Sequence, residues 1–327
     1  MSEQREETCF VRSNCQPIPG MMRFSHEAMA TTFEILVVHE DERYARQAAA
    51  AAFDEVDRLE GELSRFLENS DIARINNLPA HQPLQLGLDA FACLLASAQM
   101  YAQTNGAFDV TVGSLVKCWR AEDGSPRTPS PEELDGARLR TGMNLLELDE
   151  REHTVQLSAS PVQVDLGGIG KGYAVDRVAE LLAEWSIDTA LISGGYSSVL
   201  ALEAPPGTSG WPLTLSDPAD RKHILARPHL RAGALSGSGV QKGGHIISPR
   251  TGQPVQGRRA AWSSVPDATT ADALSTAFMI MDPDEIRQYC SLHPDVLAMV
   301  ILHNEGQELQ KDTLLHFGRW DENVLLK

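Results

Sequence analysis

The sequence predicts an α+β fold in which mainly antiparallel sheets pack against helices, and three observations carry that prediction. From Asp41 to about Leu63, apolar residues recur every three or four positions (Ala45, Ala49, Ala52, Val56, Leu59, Leu63), the period of a helix with one buried face. Short apolar runs, FEILVV from Phe33 to Val38 and VLAMVIL from Val296 to Leu302, have the length of buried strands. Strands and helices follow each other in mixed order, not in strict βα alternation, which argues against a doubly wound parallel sheet.

Taken in order, residues 1–22 are polar and mixed in charge and read as a flexible tail, leaving 23–327 as the folded unit. Met29-Ala-Thr-Thr32 is a small, polar approach to the first strand that either faces a ligand or caps the sheet. After the long helix, SRFLENSDIARIN (64–76) reads as a turn and then a short helix capped by Ser70. A second long helix, about 89–103, stops at Asn105-Gly106. The segment 121–131 is turn-rich, and Leu145–Leu148 with Val155–Leu157 suggests a hairpin. Beyond Asp176 the pattern Val175, Val178, Leu181, Leu182, Trp185 is helical, and two strands (189–193, 198–202) flank Gly194-Gly195. Residues 204–245 are rich in Pro and Gly, with short strands, and HIISPRTGQPV reads as a strand ending in a turn. A helix capped by Thr269 or Thr270 covers Thr269–Met281. Another helix starts near Pro283, and a polar strand or tail follows the VLAMVIL strand.

The chain of 327 residues has a net charge of −17. That disfavours nucleic acid or an anionic membrane as the main partner, because both require a basic surface. It leaves anionic small molecules open, since these need only a local positive pocket. No apolar run approaches the ~20 residues of a membrane helix. The N-terminus lacks the apolar core of a secretory signal, which makes the cytoplasm the expected compartment. The five cysteines form no C-x-x-C pair, so neither a disulfide framework nor a zinc site is expected.

Four features could carry chemistry. DLGGIGKGYAVD (165–176) places Gly167, Gly168 and Gly170 before Lys171 and the start of a helical pattern. A glycine turn at a helix N-terminus suits an anion, although a simple strand-to-helix turn would look the same. Asp272 and Thr276 lie one helical turn apart and present two oxygen donors on one face, as a Mg²⁺ site or as ordinary helix chemistry. His245, beside Gly243-Gly244, is a candidate general base among ten histidines. Asp109 and Asp165 adjoin glycine turns and can serve a ligand or nearby backbone N–H groups.

In combination and order, MATTFEI, LSRF…SDIARIN, GAFDVTVGSL, DLGGIGKGYAVD, HIISPRTGQPV and ADALSTA resemble the FAD:protein FMN transferases, the ApbE family. The resemblance runs from about Met29 to Met281. It implies a two-lobed catalytic unit that uses Mg²⁺ and FAD. The FMN half of FAD would pass to a Thr or Ser hydroxyl of a target flavoprotein, releasing AMP. By motif position, Asp272 and Thr276 would be side-chain metal ligands and Gly168 would offer a carbonyl. Lys171 would contact the FAD phosphates, and His245 would be the base. Met29, Phe66, Ala107, Phe108, Asp109 and Asp165 would line the flavin and adenine regions.

Three positions depart from the family pattern. Phe66 stands where many members have Tyr, Ser248 where Asp is usual, and Tyr196 follows Gly194-Gly195 where Asp or Asn is usual. The same pocket with water as acceptor would make an FAD pyrophosphatase, and without catalysis a flavin-binding protein.

Overall fold

A computed structural model describes residues 10–16, 18–121, 124–220, 222–241, 246–303 and 312–320. Strand β1 (Val11–Ser13) is followed by the hairpin β2 (Met21–Ala28) and β3 (Thr31–Val38). Phe10 and Val11 are buried, and β1 pairs antiparallel with a distant strand. The flexible tail expected through residue 22 is therefore corrected from Phe10 onward, while residues 1–9 lie outside the described residues. Phe10 and Val11 join the core around Trp211 and Trp262.

Helix α1 (Glu42–Leu63) buries Ala45, Ala49, Ala52, Val56, Leu59 and Leu63, the face its periodicity predicts. Helix α2 (Asp71–Asn76) is capped by the Ser70 hydroxyl, which accepts from the Ala73 N–H at 2.9 Å. The two-residue β4 (Leu84–Gln85), α3 (Leu88–Gln103), α4 (Gly113–Cys118) and α5 (Pro131–Arg138) follow. Then come β5 (Leu146–Asp149) and β6 (Thr154–Leu157), the expected hairpin. Helix α6 (Gly170–Glu184) starts inside the glycine loop, so Lys171 sits in its first turn.

Strands β7 (Ala190–Gly194), β8 (Ser198–Ala201), β9 (Trp211–Ser216), β10 (Ile224–Ala226) and β11 (His229–Leu230) lead to β12 (Gly233–Gly239) and β13 (Arg258–Val265). Of HIISP, the described residues 246–249 do not form a strand: Ile247 makes one isolated bridge to Pro254, and the Ser248 N–H donates to the Gln253 carbonyl across a turn. Helix α7 (Ala268–Phe278) is capped by Asp267, which accepts from the Thr270 N–H at 2.7 Å, and not by Thr269 or Thr270. Helix α8 (Pro283–Leu292), β14 (Leu297–Leu302) and β15 (Thr313–Phe317) complete the described chain.

One eight-stranded sheet, ordered β15-β14-β13-β12-β8-β7-β3-β2, is antiparallel throughout. Alternation splits its side chains between two cores. In β3, Phe33, Ile35 and Val37 face the helices, whereas Leu36 joins Trp211 and Trp262 under the smaller sheet of β1, β9, β10 and β11. The result is three layers, helices over sheet over sheet, with β4, β6 and β5 as a separate small sheet. Among the described residues, no helix is long and apolar enough to cross a membrane.

Candidate active site

The site begins with the contact between α6 and α7. A β-carbon on Gly172 would lie 2.1 Å from the Ala268 carbonyl oxygen and 2.8 Å from Cβ of Asp272, so only glycine lets the two helices come this close. Asp176, one turn further along α6, accepts hydrogen bonds from the N–H groups of Ala268 (2.7 Å) and Thr269 (2.8 Å), and from the Thr269 hydroxyl. It thus ties the first turn of α7 to α6. Burial pushes the Asp176 carboxyl up to about 6, against the downward pull of those hydrogen bonds.

This clamp fixes Asp272, which is 2% exposed. Its Oδ2 accepts from the Gly172 N–H at 3.1 Å and lies 3.4 Å from Nζ of Lys171, which also donates to the Gly167 carbonyl at 3.3 Å. Oδ1 has no hydrogen-bond partner among the described residues. One turn on, the Thr276 hydroxyl lies 3.2 Å from that of Ser238. A β-carbon on Gly168 would come within 3.0 Å of the Thr276 hydroxyl oxygen and 3.3 Å of the Phe108 ring. The glycine loop is therefore pressed directly onto the α7 face that carries Asp272 and Thr276.

These groups open into a cavity of about 510 Å³, within the range of small-molecule sites. All the predicted site residues that are described line it: Met29, Phe66, Ala107, Phe108, Asp109, Asp165, Gly168, Lys171, Asp272 and Thr276. His245 lies outside the described residues, although its neighbour Ile246 lines the cavity.

The lining residues contribute in different ways. Met29 and Ala30 form the two-residue turn of the β2–β3 hairpin, with φ of 50° and 57°. Two consecutive non-glycine residues in the left-handed region carry strain of about 1 kcal/mol or more each. Asp109 faces its own loop: Oδ1 accepts from the Thr111 N–H (2.7 Å) and hydroxyl (2.6 Å), and burial pushes its carboxyl up. It braces the GAFD turn. Asp165 does the same for the glycine loop, accepting from the Gly167 N–H at 3.0 Å.

Sequence reasoning missed Phe10, Arg65 and Ser238, all of which line the cavity. Arg65 stood inside a quoted motif, and Phe10 was an isolated apolar residue in a polar stretch. Only pairing of β12 with β8 and β13 brings Ser238 to the site. Of the departures, Tyr196 lines the cavity and is exposed, whereas Ser248 is buried in its turn and does not line it.

Among the described residues, no three His, Cys, Asp or Glu side chains cluster to hold a metal. A cation here would instead meet one carboxylate, one hydroxyl and main-chain oxygen. That hard, all-oxygen set fits Mg²⁺ and does not suit zinc.

The FAD:protein FMN transferase of Salmonella typhimurium is 26% identical over 306 residues, 88% of this chain and 86% of that protein. Its counterpart in Klebsiella pneumoniae is 28% identical over 298 residues, covering 86% and 84%. The apo flavinyl transferase ApbE of Pseudomonas stutzeri superposes with a TM-score of 0.79 at 23% identity, over 91% of this chain and 94% of that one, a likeness of fold. The ApbE protein of Thermotoga maritima gives 0.77 at 27% identity, over 86% and 94%. The ApbE family model matches residues 29–301, most of the chain and every described residue of the predicted site, so this chain belongs to the ApbE family.

Proposed function

We propose that this protein transfers the FMN moiety of FAD to a Thr or Ser hydroxyl of a target flavoprotein. The observation that carries the reading is the convergence of Asp272, Thr276, Gly168 and Lys171 on one cavity that apolar and aromatic side chains, among them Met29, Phe66 and Phe108, also line. The names of its relatives agree with it.

The acceptor oxygen attacks the phosphorus of the FMN half and forms a phosphoester, the bond to the AMP oxygen breaks, and AMP leaves. Such transfer depends on positioning and on neutralising charge around the phosphorus. Lys171 brings a positive charge to the pyrophosphate, and the N-terminus of α6 adds its dipole. Asp272, Thr276 and the Gly168 carbonyl would hold Mg²⁺, which when bound supplies further positive charge to the pyrophosphate oxygens. The hydroxyl proton is assigned to His245, on its motif position and its place one residue before the cavity wall. Phe66 and Met29 take the ring systems.

The test uses purified protein, FAD, Mg²⁺ and a flavoprotein bearing an Asp-x-x-x-Thr type acceptor segment. The expected outcome is flavin fluorescence on the denatured acceptor, a mass gain of one FMN less water, one AMP per transfer, and loss of all three with chelator. Free FMN and AMP from an unlabelled acceptor would replace this reading with pyrophosphatase activity. FAD binding without turnover would leave only a flavin-binding protein.

A further inference from the structure

Phe66, the expected stacking residue, is 79% exposed at the cavity wall. A ring so placed has little packing to fix its orientation. The structure gives it one specific neighbour. The Arg65 guanidinium carbon lies 4.5 Å from the Phe66 ring centroid, and among the described residues no other ring or cation stacks on it. The same guanidinium reaches back: its Nε is 3.4 Å from Oδ2 of Asp165. The other oxygen of Asp165 holds the Gly167 N–H, and the Asp165 N–H donates to the Val110 carbonyl at 2.7 Å. Arg65 is therefore the middle of a chain of contacts from an exposed ring to the glycine loop that carries Gly168 and Lys171.

We propose that Arg65 is a positioning residue for FAD: it holds the Phe66 ring as a stacking face and ties that face, through Asp165, to the phosphate end of the site. The physical basis is the planar, permanently charged guanidinium, which can cover one face of an aromatic ring and pair with a carboxylate at the same time. One ring face is then covered, leaving the other for a planar ring of the ligand. The distance between ring and phosphate subsites is set by short contacts and not by a free side chain. Lysine offers a point charge without the plane, so it can replace only part of this role.

The inference rests on the flavin-transfer reading, and the test separates the two. FAD affinity is titrated by flavin fluorescence for wild type, Arg65→Ala, Arg65→Lys, Phe66→Ala and the double alanine variant, with melting temperatures as a folding control. Arg65→Ala is expected to weaken FAD binding about 5-fold while turnover at saturating FAD stays within about 2-fold, and Arg65→Lys recovers part of the loss. Phe66→Ala is expected to cost roughly 10-fold, and adding Arg65→Ala to it costs little more, because the two residues act as one unit. Titrations with FMN and with ADP identify the stacked ring by which one weakens in parallel with FAD.

Unchanged FAD affinity in Arg65→Ala, independent costs of the two substitutions, or no weakening of either FMN or ADP would each overturn the inference alone. A wild-type protein that does not bind FAD would overturn the functional reading and this inference together.

Discussion

One wall of the cavity carries Gly168, Lys171, Asp272 and Thr276 on two helices and a loop locked against each other. A second part of the lining, with Met29, Phe66 and Tyr196, is strung on turns and loops. The contrast in burial is large: Asp272 is 2% exposed and Phe66 79%. The first wall is over-determined, since Gly172 allows the close approach, Asp176 pins the start of α7, and the Gly172 N–H orients the Asp272 carboxylate. The second is held by a strained turn and a cation–ring contact. Charge neutralisation at phosphorus tolerates little misplacement, whereas a stacked ring can adjust by sliding.

The largest effect that sharpens the comparison is Asp272→Ala, which should lower flavin transfer roughly 1,000-fold or more, by removing the buried carboxylate beside Lys171. Labelling of the acceptor measures it. If transfer survives, the helix wall is not where the chemistry lies.

The next breaks the wall without touching its polar groups. Gly172→Ala places a methyl 2.1 Å from a carbonyl oxygen, so the helices must part. A loss of about 3 kcal/mol in denaturant unfolding is expected, with transfer falling in parallel.

A pH effect follows from Asp176. Its folded-state value of about 6 stands above the ordinary 3.8, so the folded protein binds the proton more tightly than the unfolded chain. This contribution to stability is fully present below about 4 and is lost as pH rises through about 6, a span on the order of 3 kcal/mol. Asp176→Asn, which cannot ionise, should flatten the slope of unfolding free energy between pH 4 and 6. An unchanged slope would show that other groups set it.

The smallest effects come as an opposed pair. Gly61 is exposed in α1 with nothing within 4 Å of a β-carbon, so Gly61→Ala should stabilise by about 0.5–1 kcal/mol. Ala30→Gly should stabilise by about 1 kcal/mol, by relieving the left-handed turn. If the Met29–Ala30 turn is strained to shape the ring-binding wall, the second gain comes with weaker FAD binding, and the first does not.

Much of this was legible in the chain. The buried face of α1, the Ser70 cap, the 146–157 hairpin and the Asp272/Thr276 pair are local, and each follows from spacing or from one side chain meeting its own backbone. The motif set likewise named ten residues that the fold gathers at one cavity. Other features depended on distant partners. The docking of Phe10 and Val11 required β9 and Trp262, since the Trp262 indole N–H donates to the Phe10 carbonyl from 252 residues away. The α7 cap was assigned to the wrong residue because three neighbouring side chains were all capable, and only backbone geometry selects Asp267.

The sequence by itself determined the elements with strong periodicity and the chemical types available for the site: one lysine near a glycine turn, a carboxylate and hydroxyl one turn apart, and an aromatic after LSR. The tertiary structure alone decided that Gly172 sets the spacing of α6 and α7 and that Arg65 joins Phe66 to Asp165. The physical reason is range. Periodicity and capping act over a few residues, whereas the close approach of Gly172 to Ala268 and the pairing of Arg65 with Asp165 join groups about a hundred residues apart along the chain.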